Sequence, residues 1–136
     1  MSDRLEHRGP DGSGRWIADH RRVGMGHARL SIIDLSDLAA QPMTNPGQTV
    51  RLVFNGEIYN FQELRREMVA DGVGFQSNSD TEVILRTYER RGMECIAQLR
   101  GMFALAVWDE LERTCLLARD PFGIKPLYFH GNSERL

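Results

Sequence analysis

The stretch Leu52–Asn60 constrains this chain more than any other. Leu52, Val53 and Phe54 read as a short apolar strand running into Asn55-Gly56, a pair that tolerates positive φ, with Glu57, Ile58, Tyr59 and Asn60 following. A strand that breaks there and hands over to a helix exposes backbone at the break. Two readings compete for the pair. Asn-Gly between apolar runs is the strongest short-range hairpin signal. Alternatively, the Asn55 carboxamide and the Gly56 N–H aim at one spot as paired donors, which acyl transfer needs where negative charge develops on a carbonyl oxygen. The neighbours must decide.

At 136 residues the chain is about one domain and long enough to bury a core. Its formal net charge of −2 supplies no concentrated basic surface, so neither nucleic acid nor membrane is an expected partner. No apolar run approaches the ~20 residues that span a bilayer, and the polar stretch Ser2–Arg8 lacks the apolar segment of a signal peptide. A cytoplasmic location is expected. Cys95 and Cys115 are too few for a disulfide framework and lack metal-ligand spacing, so both are expected to be buried, reduced and structural, with no metal site.

Along the chain, Gly9-Pro10-Asp11-Gly12-Ser13-Gly14 is a turn: proline presets φ and glycine supplies positive φ. Arg15–Asp19 and Val23–Ile33 read as strands, joined through His20-Arg21-Arg22. Arg29 lies in the second of these. It is either an edge arginine whose stem snorkels to water or a fork suited to bidentate binding of a carboxylate. Asp34–Gln48 reads as an irregular loop and Thr49–Phe54 as a strand. Asn60 with Glu63 has the form of a capping box for a helix ended by Gly72, and Ser79 with Glu82 for a second ended by Gly92. Asp80, in that second first turn, either favours the helix dipole or stands at a cleft edge to hold an ammonium group. Met93–Leu99 reads as a short helix, Gly101–Asp109 and Thr114–Arg119 as an antiparallel pair, and Pro126–His130 as a last strand. The sum is an α+β domain with antiparallel strands and two main helices.

Six blocks stand in an order that resembles the class II glutamine amidotransferase domain of glutamine-hydrolysing asparagine synthetases. They are His7-Arg8-Gly9-Pro10-Asp11-Gly12, Arg29-Leu30-Ser31-Ile32-Ile33-Asp34, Asn55-Gly56-Glu57-Ile58-Tyr59-Asn60, Ser79-Asp80-Thr81-Glu82, Gly101-Met102-Phe103-Ala104, and Arg119-Asp120 with Gly123-Ile124-Lys125-Pro126-Leu127-Tyr128. The resemblance implies an Ntn-hydrolase-type four-layer αββα sandwich of antiparallel sheets. It further implies that Arg29 binds the glutamine α-carboxylate and Asp80 the α-ammonium, with the backbone of Leu30, Ser31, Ile32 and Ile33 lining the side-chain pocket. Asn55 and Gly56 would form the oxyanion hole, with Glu57 beside them.

In that family a cysteine at the mature N-terminus attacks the glutamine amide, its own α-amino group serving as base, and a thioester intermediate yields glutamate and ammonia. Here Met1 and Ser2 precede His7, and neither Cys95 nor Cys115 begins the chain. The sequence is therefore expected to be a partial domain over residues 1–136, lacking its first strand and inactive alone. A C-terminal synthetase domain would use ATP and magnesium to amidate aspartate, this domain needing no cofactor. Three alternatives stay open: a non-catalytic glutamine-binding module, an interaction remnant, and a related amidotransferase with another acceptor. An incomplete sheet also leaves an edge at which a second copy could pair as a homodimer.

Overall fold

The computed structural model describes residues 9, 12–20, 22–29 and 36–131. Strands β1 (Gly12–Ile17) and β2 (Gly24–Arg29) form a two-stranded antiparallel sheet, with Gly12 opposite Arg29 and Ile17 opposite Gly24. A second antiparallel sheet carries β3 (Met43–Thr44), β4 (Val50–Ile58), β5 (Gly101–Asp109) and β6 (Thr114–Arg119) in that spatial order. Helices α1 (Phe61–Ala70) and α2 (Asp80–Arg91) connect β4 to β5, followed by a 3₁₀ segment over Gly92–Gln98.

Strand alternation explains the layering. Val50, Leu52, Phe54 and Ile58 are buried on one face of β4 and pack with Leu64 and Met68 of α1, Val83, Ile84, Leu85 and Tyr88 of α2, and Phe103, Leu105 and Val107 of β5. The residues in the opposite phase face the smaller sheet. There the Arg51 guanidinium lies 4.1 Å over the ring of Trp16 in β1. Asn55 and Glu57 share that phase, so their side chains leave the helical core and are exposed.

Several expectations are corrected. β4 does not break at Asn55-Gly56, and the pair is no hairpin: the strand runs on to Ile58, with Asn55 opposite Ala104 and Gly56 opposite Phe103. β5 accompanies β4 over its whole length, and glycines allow the approach. A Cβ on Gly56 would overlap the Met102 carbonyl, and one on Gly101 the Glu57 carbonyl. Asn60 precedes α1 without capping it. Its carboxamide instead donates to the Gln98 carbonyl at 2.9 Å and accepts from Arg100 N–H at 2.9 Å, stapling the entry of α1 to that of β5.

Ser79 does cap α2, its Oγ accepting from Glu82 N–H at 3.2 Å. The Glu82 carboxylate does not close the box onto Ser79. It accepts from Ser77 N–H at 2.6 Å, Ser77 Oγ at 2.8 Å and Gln76 N–H at 2.9 Å, satisfying the backbone that leads into the helix. The segment expected to be an irregular loop contains β3 and a 3₁₀ turn at Asp37–Ala39. Residues 126–130 form no strand, since Pro126 lacks a donor and no strand lies beside them among the described residues. Cys95 is buried, but Cys115, on the outermost strand β6, is exposed.

Candidate functional site

The site grows from one edge of β4. β3 pairs with Leu52 and Arg51, and beyond Leu52 no strand lies beside this edge among the described residues. Backbone groups of successive residues point to alternate sides of a strand. Tyr59 N–H reaches the Arg100 carbonyl on the β5 side, whereas Phe54 N–H donates to Gln41 Oε1 at 2.6 Å and Ile58 N–H to Asp80 Oδ2 at 3.1 Å on the other. Gly56 stands midway between Phe54 and Ile58 and in their phase. Its N–H therefore points outward along the open edge, where no hydrogen bond engages it among the described residues.

Asp80 opens α2 and is only 4% exposed. Burial raises its pKa above the ordinary carboxylate value, as does the negative charge of Glu57. The N–H groups of Ile58, Thr81 and Asp80 itself pull it back. A carboxylate held this way gains from any cation that reaches it, because a nearby positive charge relieves the cost of ionising a buried group. The structure thus brings Asp80, Gly56 and Glu57 to one place, with Asn55 on the adjoining face.

Arg29 ends β2 and donates from Nη2 to the Ser36 carbonyl at 2.9 Å. Two residues earlier on the same face, His27 lies against the Phe54 carbonyl at the edge of β4. Burial is the largest influence on this imidazole and lowers its pKa, Arg29 lowers it further, and the Phe54 carbonyl opposes both. Its Nδ1 is buried with no hydrogen-bond partner among the described residues. β2 and β4 thereby meet at the residue preceding Asn55. Gly9 sits tightly on β2, since a Cβ there would overlap the Ala28 carbonyl carbon. The predicted pocket residues Leu30, Ser31, Ile32 and Ile33 lie outside the described residues.

Two participants escaped the sequence reading. His27 left a trace, alternating with Arg29 in a strand. Gln41 left none, because nothing local tells a loop glutamine that bridges two elements from one in solvent. The thiols are unsuited to nucleophilic work. Burial pushes Cys95 up to about 11, and partial burial raises Cys115 as well, the reverse of what an attacking thiolate requires. No helix among the described residues is long and apolar enough to cross a membrane.

Asparagine synthetase [glutamine-hydrolyzing] 1 of Bacillus subtilis (strain 168) is 47% identical over 129 residues, 95% of this chain and 20% of that protein. Amidase chry2 of Gibberella zeae is 42% identical over 134 residues, 98% of this chain and 20% of its own length. The chain spans about a fifth of these curated relatives. A solved glutamine phosphoribosylpyrophosphate amidotransferase from B. subtilis, complexed with ADP and GMP, superposes with a TM-score of 0.75 at 23% identity, covering 92% of this chain and 34% of that one. The shared architecture is α+β with antiparallel sheets. A model of the glutamine amidotransferase domain matches residues 1–136, and the chain belongs to that family.

Proposed function

We propose that this chain is the glutaminase part of an asparagine synthetase, hydrolysing glutamine to glutamate and passing the ammonia to a synthetase domain that amidates aspartate in the cytoplasm. The observation that carries the reading is the open edge of β4. There a buried carboxylate on Ile58 N–H stands one step along from an outward-pointing Gly56 N–H. In this reading the Arg29 fork takes the α-carboxylate and Asp80 the α-ammonium. The backbone of Leu30, Ser31, Ile32 and Ile33 lines the pocket. The Asn55 carboxamide and Gly56 N–H stabilise the oxyanion as it forms, with Glu57 at the rim.

As the resemblance to class II amidotransferases implies, the nucleophile in this reading is the thiolate of an N-terminal cysteine that leads a segment ahead of His7. ATP and magnesium serve the synthetase domain. A homodimer through the exposed sheet edge is the quaternary counterpart of this proposal.

Calorimetry of the chain with L-glutamine tests the recognition half: binding is expected, and Arg29→Ala abolishes it. A folded sample that takes up no glutamine removes the proposal. For the chemical half, joining a cysteine-led segment ahead of His7 is expected to yield glutaminase activity. Asn55→Ala then lowers that activity by about 10²–10³-fold, the usual effect of losing an oxyanion donor.

A further inference from the structure

Among the described residues, side chains cross the open edge of β4 at two points. On one side of Gly56, Asp80 Oδ2 accepts from Ile58 N–H at 3.1 Å. On the other, Gln41 Oε1 accepts from Phe54 N–H at 2.6 Å, and the same carboxamide donates through Nε2 to Thr81 Oγ1 at 3.3 Å. Asp80 and Thr81 are consecutive residues in the first turn of α2. Both crossbars therefore join a single helix end to β4, one before Gly56 and one after it.

Gln41 is itself pinned. Gly14 of β1 packs on its backbone so closely that a Cβ there would overlap the Gln41 carbonyl oxygen. A side chain from a loop, anchored on one sheet and using both ends of its carboxamide on the two elements that carry the site, acts as a spacer.

We infer that Gln41 is a positioning residue that sets the length of amino acid the site accepts. This rests on the reading of the site as a glutamine pocket. Asp80 holds the α-ammonium and Gly56 N–H the amide oxygen, so their separation must match the number of methylenes between the Cα and the amide of the substrate. Hydrogen bonds on both sides of Gly56 keep that separation from drifting. Asparagine, one methylene shorter, cannot reach both ends of a fixed span. A site with one crossbar cut can shorten or lengthen to suit either amino acid.

The test is calorimetric titration of the unaltered chain, Gln41→Met and Thr81→Val with L-glutamine and L-asparagine, each protein first shown to be folded by circular dichroism. Methionine keeps the bulk and length of Gln41 and removes both of its hydrogen bonds. Valine at position 81 removes only the hydroxyl. The unaltered chain is expected to prefer glutamine by about 10–200-fold, the range one methylene commands in a shaped pocket. In Gln41→Met that preference falls by about tenfold, with glutamine weakened more than asparagine. Thr81→Val shifts it the same way but less, since the bond to Phe54 survives, and it carries the test alone if Gln41→Met does not fold. No glutamine binding to the unaltered chain removes the reading of the site and this inference together. Normal binding with the preference unchanged in the folded variants overturns the inference alone.

Discussion

A Cβ added to Gly56 would meet the Met102 carbonyl and the Cα of Phe103, backbone atoms that cannot step aside without parting β4 from β5. Gly56 is thus required by strand packing even before any ligand is considered. Gly56→Ala is expected to cost about 1–3 kcal/mol in denaturant unfolding, the range for forcing a group into filled space. Gly74, with nothing within 4 Å of its Cβ position, should tolerate alanine within about 0.5 kcal/mol, as surface positions do. Equal effects at the two sites would show that the close approach is not real.

Asp80 makes a second residue-scale prediction. Its native pKa is raised above the ordinary 3.8, so between those values the folded chain holds a proton that the unfolded chain has released. Its contribution to stability therefore declines as pH climbs through that window. An ammonium beside the carboxylate favours the ionised form and expels the proton. Glutamine affinity should accordingly strengthen with rising pH across the same window, by at most about tenfold per pH unit, and level off above the native pKa. Titrations at several pH values check this, and a flat profile in the unaltered chain would detach Asp80 from the ammonium.

At the scale of elements, α2 shows what a cap contributes. Ser79 Oγ accepts from Glu82 N–H and exchanges a hydrogen bond with Ser77 Oγ at 2.8 Å. Ser79→Ala should lower stability by about 1 kcal/mol in chemical denaturation. A loss near zero would mean that Glu82 alone secures the helix entry.

The helices, β5 and β6 were legible because their signals are local. Apolar runs bounded by turn formers located Gly101–Asp109 and Thr114–Arg119, and Ser79 announced the start of α2. Asn55-Gly56 does not turn the chain, because turn propensity is a weak preference that a full-length neighbouring strand overrides. Asn60 misled for a related reason, as its amide was claimed by partners about forty residues away. Of the candidate residues, Arg29, Asn55, Gly56 and Asp80 stand out in the sequence by their charge or turn propensity. The bridge through Gln41 does not, because its meaning lies in Phe54 and Thr81, which only the tertiary fold brings to it.

For the whole molecule, the junction beyond β6 depends on one carboxylate. Asp120 is 1% exposed and gathers the chain around itself. Its Oδ1 accepts from Phe122 N–H at 3.1 Å and Ile124 N–H at 2.9 Å, and its Oδ2 from Lys125 N–H at 3.0 Å and Phe103 N–H at 3.2 Å. The last of these fastens the following turn to β5, the strand that also lies along Asn55 and Gly56. Burial works against ionisation here, but the four N–H donors outweigh it and hold the carboxyl below its ordinary range. A depressed pKa gives stability that is present in full above the unfolded value of 3.8 and disappears as pH falls through the lower native value. Asp120→Ala should therefore reduce the unfolding midpoint at neutral pH, and the gap from the unaltered chain should close on acidification below 3.8. Hydrogen exchange locates the effect: the amides of Phe122, Ile124 and Lys125 should lose protection together, while those in the centre of α2 keep theirs. If those three amides exchange at unchanged rates in the variant, the turn is held by something other than Asp120, and the route by which it supports the β4 edge through β5 is lost with it.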